Sequence, residues 1–152
     1  MRLIIILFSR YLNKCFAKSV KEMDKYSLED RLIDYAVLSL KIAELLPKTY
    51  EGSHLSSQLI RSGTSPALNY GEAQSAESKK DFLHKIRLIL KELRESRVCM
   101  KIIRSRNLII DEVILEKGII ESDELISIFV KTAKTTENNM LLKNSQKGIS
   151  YL

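Results

Sequence analysis

The most regular pattern of apolar positions lies in the middle of the chain. Apolar side chains recur there at alternating spacings of four and three residues, and neither Gly nor Pro appears between Ser78 and Gly118. Such heptad spacing is typical of helices that pack at about 20° in antiparallel bundles. Ser78 and Asp81 match an N-terminal capping pattern. The chain therefore predicts a long third helix, whose seam is Phe82, Ile86, Ile89, Leu93, Ser96, Met100 and Ile103.

Two more amphipathic helices are predicted before this one. Ser27 and Asp30 match a capping pattern, and Pro47 ends a first helix over about residues 27–46. Ser53 is the predicted cap of a second helix, which Gly71 can end. The two predicted apolar lines are Leu32, Ala36, Leu40 and Ala43, and then Leu55, Leu59, Ala67 and Tyr70. Gly63 and Pro66 interrupt the second line and predict a kink near residues 62–65.

A fourth helix is predicted after the short apolar connection 108–110. Asp111 is its predicted cap. Its apolar stripe is Leu115, Ile119, Ser122, Ile126, Phe129 and Ala133. Because four amphipathic helices cannot bury their stripes alone, we expect an all-α fold, an antiparallel up-down-up-down four-helix bundle over residues 24–138. Residues 139–152 are predicted to be a frayed polar tail.

The first 23 residues do not fit the bundle. A basic residue and six apolar ones, ending at Phe8, are too few for a membrane span and short for a signal peptide. Three interpretations remain open: a surface-seeking amphipathic arm, a weak export signal, or translated sequence upstream of a start at Met23. We favour the last, since the capped helical pattern begins only after Met23. Residues 1–23 are thus predicted to be an extension that is non-native or disordered.

Positive charge is concentrated in two places. The formal net charge is +6, of which residues 1–23 carry +4. Between Lys79 and Arg106, however, there are ten basic residues and only three acidic ones. On a helical projection, five of them gather opposite the apolar seam, and we call this set the basic row: Lys80, Arg87, Lys91, Arg94 and Lys101. An exposed row of this kind suits phosphates; the plainer alternative is a solvated face, or one paired with acidic residues of neighbouring helices.

The residue types used in catalysis or metal binding form no recognisable pattern. Asn, Glu and Gln between Asn69 and Gln74 could hold a ligand, but at a helix end they more often satisfy backbone groups, and we prefer that interpretation. His54 and His84 stand on different helices. Cys15 and Cys99 are read as two reduced thiols of a cytoplasmic protein. We therefore predict no enzyme activity, no catalytic residues, no metal and no cofactor.

The region from the second to the third helix resembles a known family. Its most distinctive parts are Q-L-x-R-S-G-T-S at 58–65 and N-Y-x-E-A at 69–73, continued by Ser78 to Phe82 and Leu90 to Glu95. Over residues 24–138 the chain resembles the four-helix-bundle proteins named for intervening sequences in bacterial 23S ribosomal RNA genes. It is more distantly similar to the accessory variability protein of diversity-generating retroelements. The resemblance implies a ring-shaped homopentamer, without enzyme activity, whose basic surface meets nucleic acid or a reverse transcriptase.

Two functional hypotheses follow from the basic row and the resemblance. In the first, a non-catalytic oligomer binds structured RNA or DNA through the basic row, and a ring would multiply each weak site by avidity. In the second, the chain is a protein-interaction scaffold or adaptor with no direct nucleic-acid contact.

Overall fold

A computed structural model describes residues 27–109 and 111–149, with side chains as far as residue 142. The predicted extension, residues 1–23, lies outside the described residues, as does Cys15. Four helices follow one another: α1 Leu28–Glu44, α2 Tyr50–Gln74, α3 Lys79–Ser105 and α4 Glu112–Ile149. The described ranges contain no strand. The prediction of an all-α four-helix bundle is confirmed.

Three of the four predicted helix caps are present. The Asp30 backbone N–H donates to Ser27 Oγ at 3.1 Å, and the Ser27 N–H donates back to the Asp30 carboxylate at 3.2 Å. Ser78 Oγ accepts from the Asp81 N–H at 3.1 Å. Asp111 accepts from two N–H groups in the first turn of α4. These side chains satisfy donors that have no partner inside the helix, which explains why α1, α3 and α4 begin where they do.

The bounds of α2 differ from the prediction at both ends. Thr49, not Ser53, is its cap and accepts from the Gly52 N–H at 3.1 Å. Ser53 lies one turn inside, because Thr49 already offers a hydroxyl directly after the loop. Gly71 does not end the helix: the described glycines have no positive φ, and α2 continues to Gln74. Pro66 lies inside α2, and the kink near it stays a prediction.

The buried faces match the prediction best on α3 and least on α1. Every seam residue of α3 is buried except Phe82, which is partly exposed. On α1 the predicted line is wrong at Leu40, which is 36% exposed, and at Ala36, which is partly exposed. The buried α1 residues are Leu32, Tyr35, Ser39, Ile42 and Ala43. On α4, Ile126 is partly exposed and the adjacent Leu125 is fully buried.

Each helix contributes one fully buried serine to the core: Ser39, Ser62, Ser96 and Ser122. Their hydroxyls donate to carbonyl oxygens of their own helices at 2.6–2.9 Å in α1, α2 and α4, and at 3.0 Å in α3. Tyr35, 1% exposed, joins two helices because its hydroxyl lies 2.7 Å from Ser96 Oγ. We call these five residues the polar core group. Buried hydroxyls are tolerated because each has a hydrogen-bond partner.

Two glycines mark places where helices approach closely. A Cβ atom at Gly63 would lie 2.4 Å from Ser39 Cβ, so α2 and α1 meet there without room for a side chain. A Cβ atom at Gly118 would lie 2.8 Å from Met100 Sδ and 2.9 Å from Ile42 Cδ1. Packing, not backbone conformation, requires glycine at Gly63, whereas at Gly118 the flexible ends of the Met100 and Ile42 side chains fill the space of a Cβ.

The last helix runs past the predicted end of the bundle. α4 continues beyond Asn138 to Ile149, and the domain boundaries 24–138 and 139–152 stay predictions. In the part of the chain that the structure describes, no helix is long and apolar enough to cross a membrane.

Candidate nucleic-acid interface

All five residues of the basic row are exposed along one side of α3. They lie on the side away from the seam because residues three and four positions apart share a helix face. From Lys80 to Lys101 the row extends for about 30 Å, at 1.5 Å of rise per residue. The predicted site residues are therefore brought together in a straight line on one rigid element.

The five cations differ in what they contact. Arg87 Nη2 lies 2.7 Å from Glu137 Oε1 of α4, and Lys91 Nζ lies 3.6 Å from the carboxylate of the adjacent Glu92. Lys80, Arg94 and Lys101 have no ion pair with any described residue. Of the two plainer alternatives for this face, pairing with a neighbouring helix holds for Arg87 alone, and a solvated face fits the other four cations.

Most of the other basic residues of α3 face carboxylates on its two neighbours. Toward α4, Arg97 pairs with Asp123, and Arg104 pairs with Glu116 at 2.6 Å. A second set of ion pairs links α2 with α3 and its C-terminal cap: Lys85 with Glu72, Arg61 with Glu95, and Arg106 with Glu51. The basic row thus runs between two lines of ion pairs.

Each of these flanking pairs has at least one solvent-exposed partner, so each contributes little to stability and weakens in salt. The hydrogen bond from Arg106 still lowers the pKa of Glu51, and the hydrogen bond to Glu72 raises the pKa of Lys85. Their main consequence is local neutralisation: they cancel much of the positive charge of α3 outside the row.

The surface changes character toward the C-terminal end of the row. Val98 is 50% exposed and Ile102 is 45% exposed, and they lie beside Arg94 and Lys101. Apolar side chains at this position suit a protein partner better than a phosphate backbone. The N-terminal part of the row carries His84 in addition to its cations, and His84 is exposed.

The remaining chemistry-bearing residues do not converge on a site. The Asn69 side-chain amide donates to the Ser65 carbonyl at 2.9 Å, which agrees with a structural role for the polar segment 69–74. His54 and His84 are exposed on α2 and α3. Within the described ranges, no three His, Cys, Asp or Glu side chains are grouped to hold a metal ion. Cys99 is buried, and burial raises the pKa of its thiol to about 11, so the reactive thiolate is scarce at neutral pH.

The comparisons with known proteins agree on one family. The model of the 23S rRNA-intervening sequence protein family matches residues 24–131. Among solved structures, the chain is similar to a protein of unknown function of the S23 ribosomal protein family from Bacteroides thetaiotaomicron. That protein is 27% identical, with a TM-score of 0.65 over 71% of this chain and 99% of the other. No curated protein matches the chain.

Proposed function

Because this chain belongs to the 23S rRNA-intervening sequence protein family, we propose that it is a non-catalytic protein that binds structured RNA or DNA through the basic row. The observation that carries the proposal is the row itself. Lys80, Arg94 and Lys101 are exposed and have no ion pair among the described residues, on a helix whose other cations are mostly paired. A positive charge left uncompensated beside so many carboxylates favours an external anion as its partner.

The physics of the row fits a phosphate backbone. The α-helix holds the backbone positions of the cations in a fixed line about 30 Å long, so binding does not have to order the backbone that carries them. Lys ammonium groups act as point charges, and the Arg guanidinium can bind a phosphate through two donors. Contacts of this kind release counterions and carry no base information. We therefore expect binding that depends strongly on salt and weakly on sequence.

Assembly would strengthen a weak site. We propose a cytoplasmic homopentamer, as the family resemblance implies, in which a ring repeats the basic row around one axis. Several rows that engage one nucleic acid would raise the apparent affinity by avidity without any new contact.

A protein partner is the second candidate, and one observation favours it. Val98 and Ile102 are about half exposed beside the row, which gives its C-terminal end an apolar character. A scaffold or adaptor would cover this end. Pull-down from nuclease-treated lysate separates the candidates, since an adaptor keeps its protein partner and a nucleic-acid-binding protein loses what the nucleic acid bridged.

Replacing the three unpaired cations together tests the proposal. The variant Lys80→Ala, Arg94→Ala, Lys101→Ala should bind ribosomal RNA fragments about ten- to a hundredfold more weakly at about 50 mM salt, because three phosphate contacts are lost. The slope of log K against log salt should become shallower by about 2 to 3. Fluorescence anisotropy across a salt series measures both quantities.

A control with the same change in net charge is available on other elements. Lys41, Lys48 and Lys117 are exposed and outside the row, and their replacement by Ala should leave the slope nearly unchanged. If wild-type binding shows no salt slope, or if the two triple variants weaken binding equally, the proposal is wrong.

A further inference from the structure

Three ion pairs fix how α3 and α4 lie side by side. Arg104 pairs with Glu116, Arg97 with Asp123, and Arg87 with Glu137. Because residue numbers fall along α3 as they rise along α4, the two helices are antiparallel. The three carboxylates also identify the edge of α4 that lies along α3.

Lys134 belongs to that same edge of α4. It follows Asp123 by eleven residues, which is about three helical turns, and it precedes Glu137 by three residues, which is about one turn. Residues at these spacings share a helix face. Lys134 is exposed and has no ion pair with any described residue. A further cation, in addition to the five of the basic row, therefore lies within about one turn of the Arg87–Glu137 pair.

Arg87 is more exposed than the other two arginines of α3 that pair with carboxylates of α4. The Arg87 side chain is 63% exposed, so a phosphate can reach its guanidinium from solvent. The Arg97 side chain is only 28% exposed, and its Nε is buried. Arg104, at 46% exposed, pairs with Glu116, which lies about five helical turns from Lys134. Of these pairs, Arg87–Glu137 is the one that lies within the basic row.

We infer that the nucleic-acid surface continues from α3 onto α4, where Lys134 is a further phosphate-binding residue and Glu137 lowers affinity by competing with phosphate for Arg87. This inference rests on the proposed function of the basic row. An incoming phosphate must displace the Glu137 carboxylate or accept its repulsion, since both anions need the same guanidinium. The Glu137 carboxylate thus keeps affinity below what the cations alone would give, which allows release as well as capture.

Removing the charge of Glu137 should increase affinity. We expect Glu137→Gln to bind an RNA duplex of about 16 base pairs roughly two- to tenfold more tightly at low salt, because Arg87 is freed and a repulsive charge is lost. Glu44→Gln is the matched control: it makes the same change in net charge at an exposed position of α1. Lys134→Ala should weaken binding about three- to tenfold and make the salt slope shallower by about 1, whereas Lys117→Ala should change neither quantity.

The outcomes separate this inference from the proposed function. Wild-type protein that does not bind the duplex with a salt slope overturns both. Wild-type binding that is weakened by the triple variant of the row, but is equal in Glu137→Gln and Glu44→Gln, overturns the role of Glu137 alone. Equal effects of Lys134→Ala and Lys117→Ala overturn the role of Lys134. Circular dichroism melts of each variant verify that its helices are intact, so that a change in binding reports the surface.

Discussion

Gly63→Ala is expected to destabilise the bundle, although alanine is the better helix former. The added Cβ would lie 2.4 Å from Ser39 Cβ and 2.5 Å from Ser39 Oγ, far inside van der Waals contact. Ser39 cannot turn aside without breaking the hydrogen bond from its hydroxyl to the Tyr35 carbonyl at 2.9 Å. The overlap must therefore push α1 and α2 apart, at a cost of about 3 kcal/mol, of which the helix propensity of Ala recovers about 1 kcal/mol.

Gly71→Ala provides the matched control on the same helix. Nothing lies within 4 Å of a Cβ atom built at Gly71, and the residue is exposed. This variant should gain about 1 kcal/mol from helix propensity alone. The free energies of unfolding of the two variants, measured by urea denaturation, should thus differ by about 3 kcal/mol. If Gly63→Ala is as stable as Gly71→Ala, the close approach of α1 and α2 is wrong.

The helix starts on α1, α3 and α4 could be predicted because capping is local. Ser27 and Asp30 lie three residues apart, and their hydrogen bonds involve nothing outside that turn. The prediction of Ser53 as the cap of α2 is wrong because the same local rule does not distinguish Ser53 from Thr49, which also carries a suitable hydroxyl. Which of the two caps the helix depends on the conformation of the loop after Pro47, and in the folded chain the Pro47 carbonyl lies against Gly52.

The buried face of α1 could not be read from hydrophobicity alone. The predicted line steps by four, four and three residues from Leu32 and so includes Ala36 and Leu40, whereas the buried face includes Tyr35 and Ser39. In the folded chain each hydroxyl has a partner, either a carbonyl of its own helix or the hydroxyl of Ser96. A serine hydroxyl can donate to a carbonyl of its own helix in this way, so serine can be buried there. Only the packing of the helices shows which serines are buried.

The position of the basic row opposite the seam follows from the sequence, whereas its electrostatic surroundings do not. The side of α3 opposite the seam is exposed, and the seam itself can be read from the spacing of apolar residues. Which acidic residue faces Arg87 depends on how far α4 is shifted along α3, and no local pattern specifies that shift. The sequence therefore does not identify Glu137 and Lys134 as neighbours of the basic row. Identifying them requires the register between α3 and α4.

Alkaline pH is expected to unfold this protein through the polar core group. Burial raises the pKa of Tyr35 to about 12, although its hydrogen bond with Ser96 acts in the opposite direction. An unfolded tyrosine has a pKa near 10. Because the folded-state value is the higher one, Tyr35 contributes stability below pH 10 that is lost as the pH rises toward 12. Two pKa units correspond to about 2.7 kcal/mol.

Cys99 acts in the same direction at slightly lower pH. Burial, and to a smaller extent the charge of Glu95, raises the pKa of its thiol from 9.0 to about 11. Its contribution to stability is therefore complete below pH 9 and is lost as the pH rises through 11. Ionisation of Tyr35 and Cys99 together should lower the free energy of unfolding between about pH 9 and pH 12.

Tyr35→Phe isolates the tyrosine contribution. At neutral pH this variant should lose only about 1 kcal/mol, since Ser96 keeps its hydrogen bond to the Leu93 carbonyl. From pH 9 to 12 it should lose less stability than the wild type, because no phenol remains to ionise in the core. Urea denaturation at a series of pH values measures the difference, with Tyr50→Phe as the control at a fully solvated tyrosine. Parallel losses in the wild type and in Tyr35→Phe would contradict the assignment, and the alkaline unfolding would then have to come from Cys99 or from the exposed ion pairs.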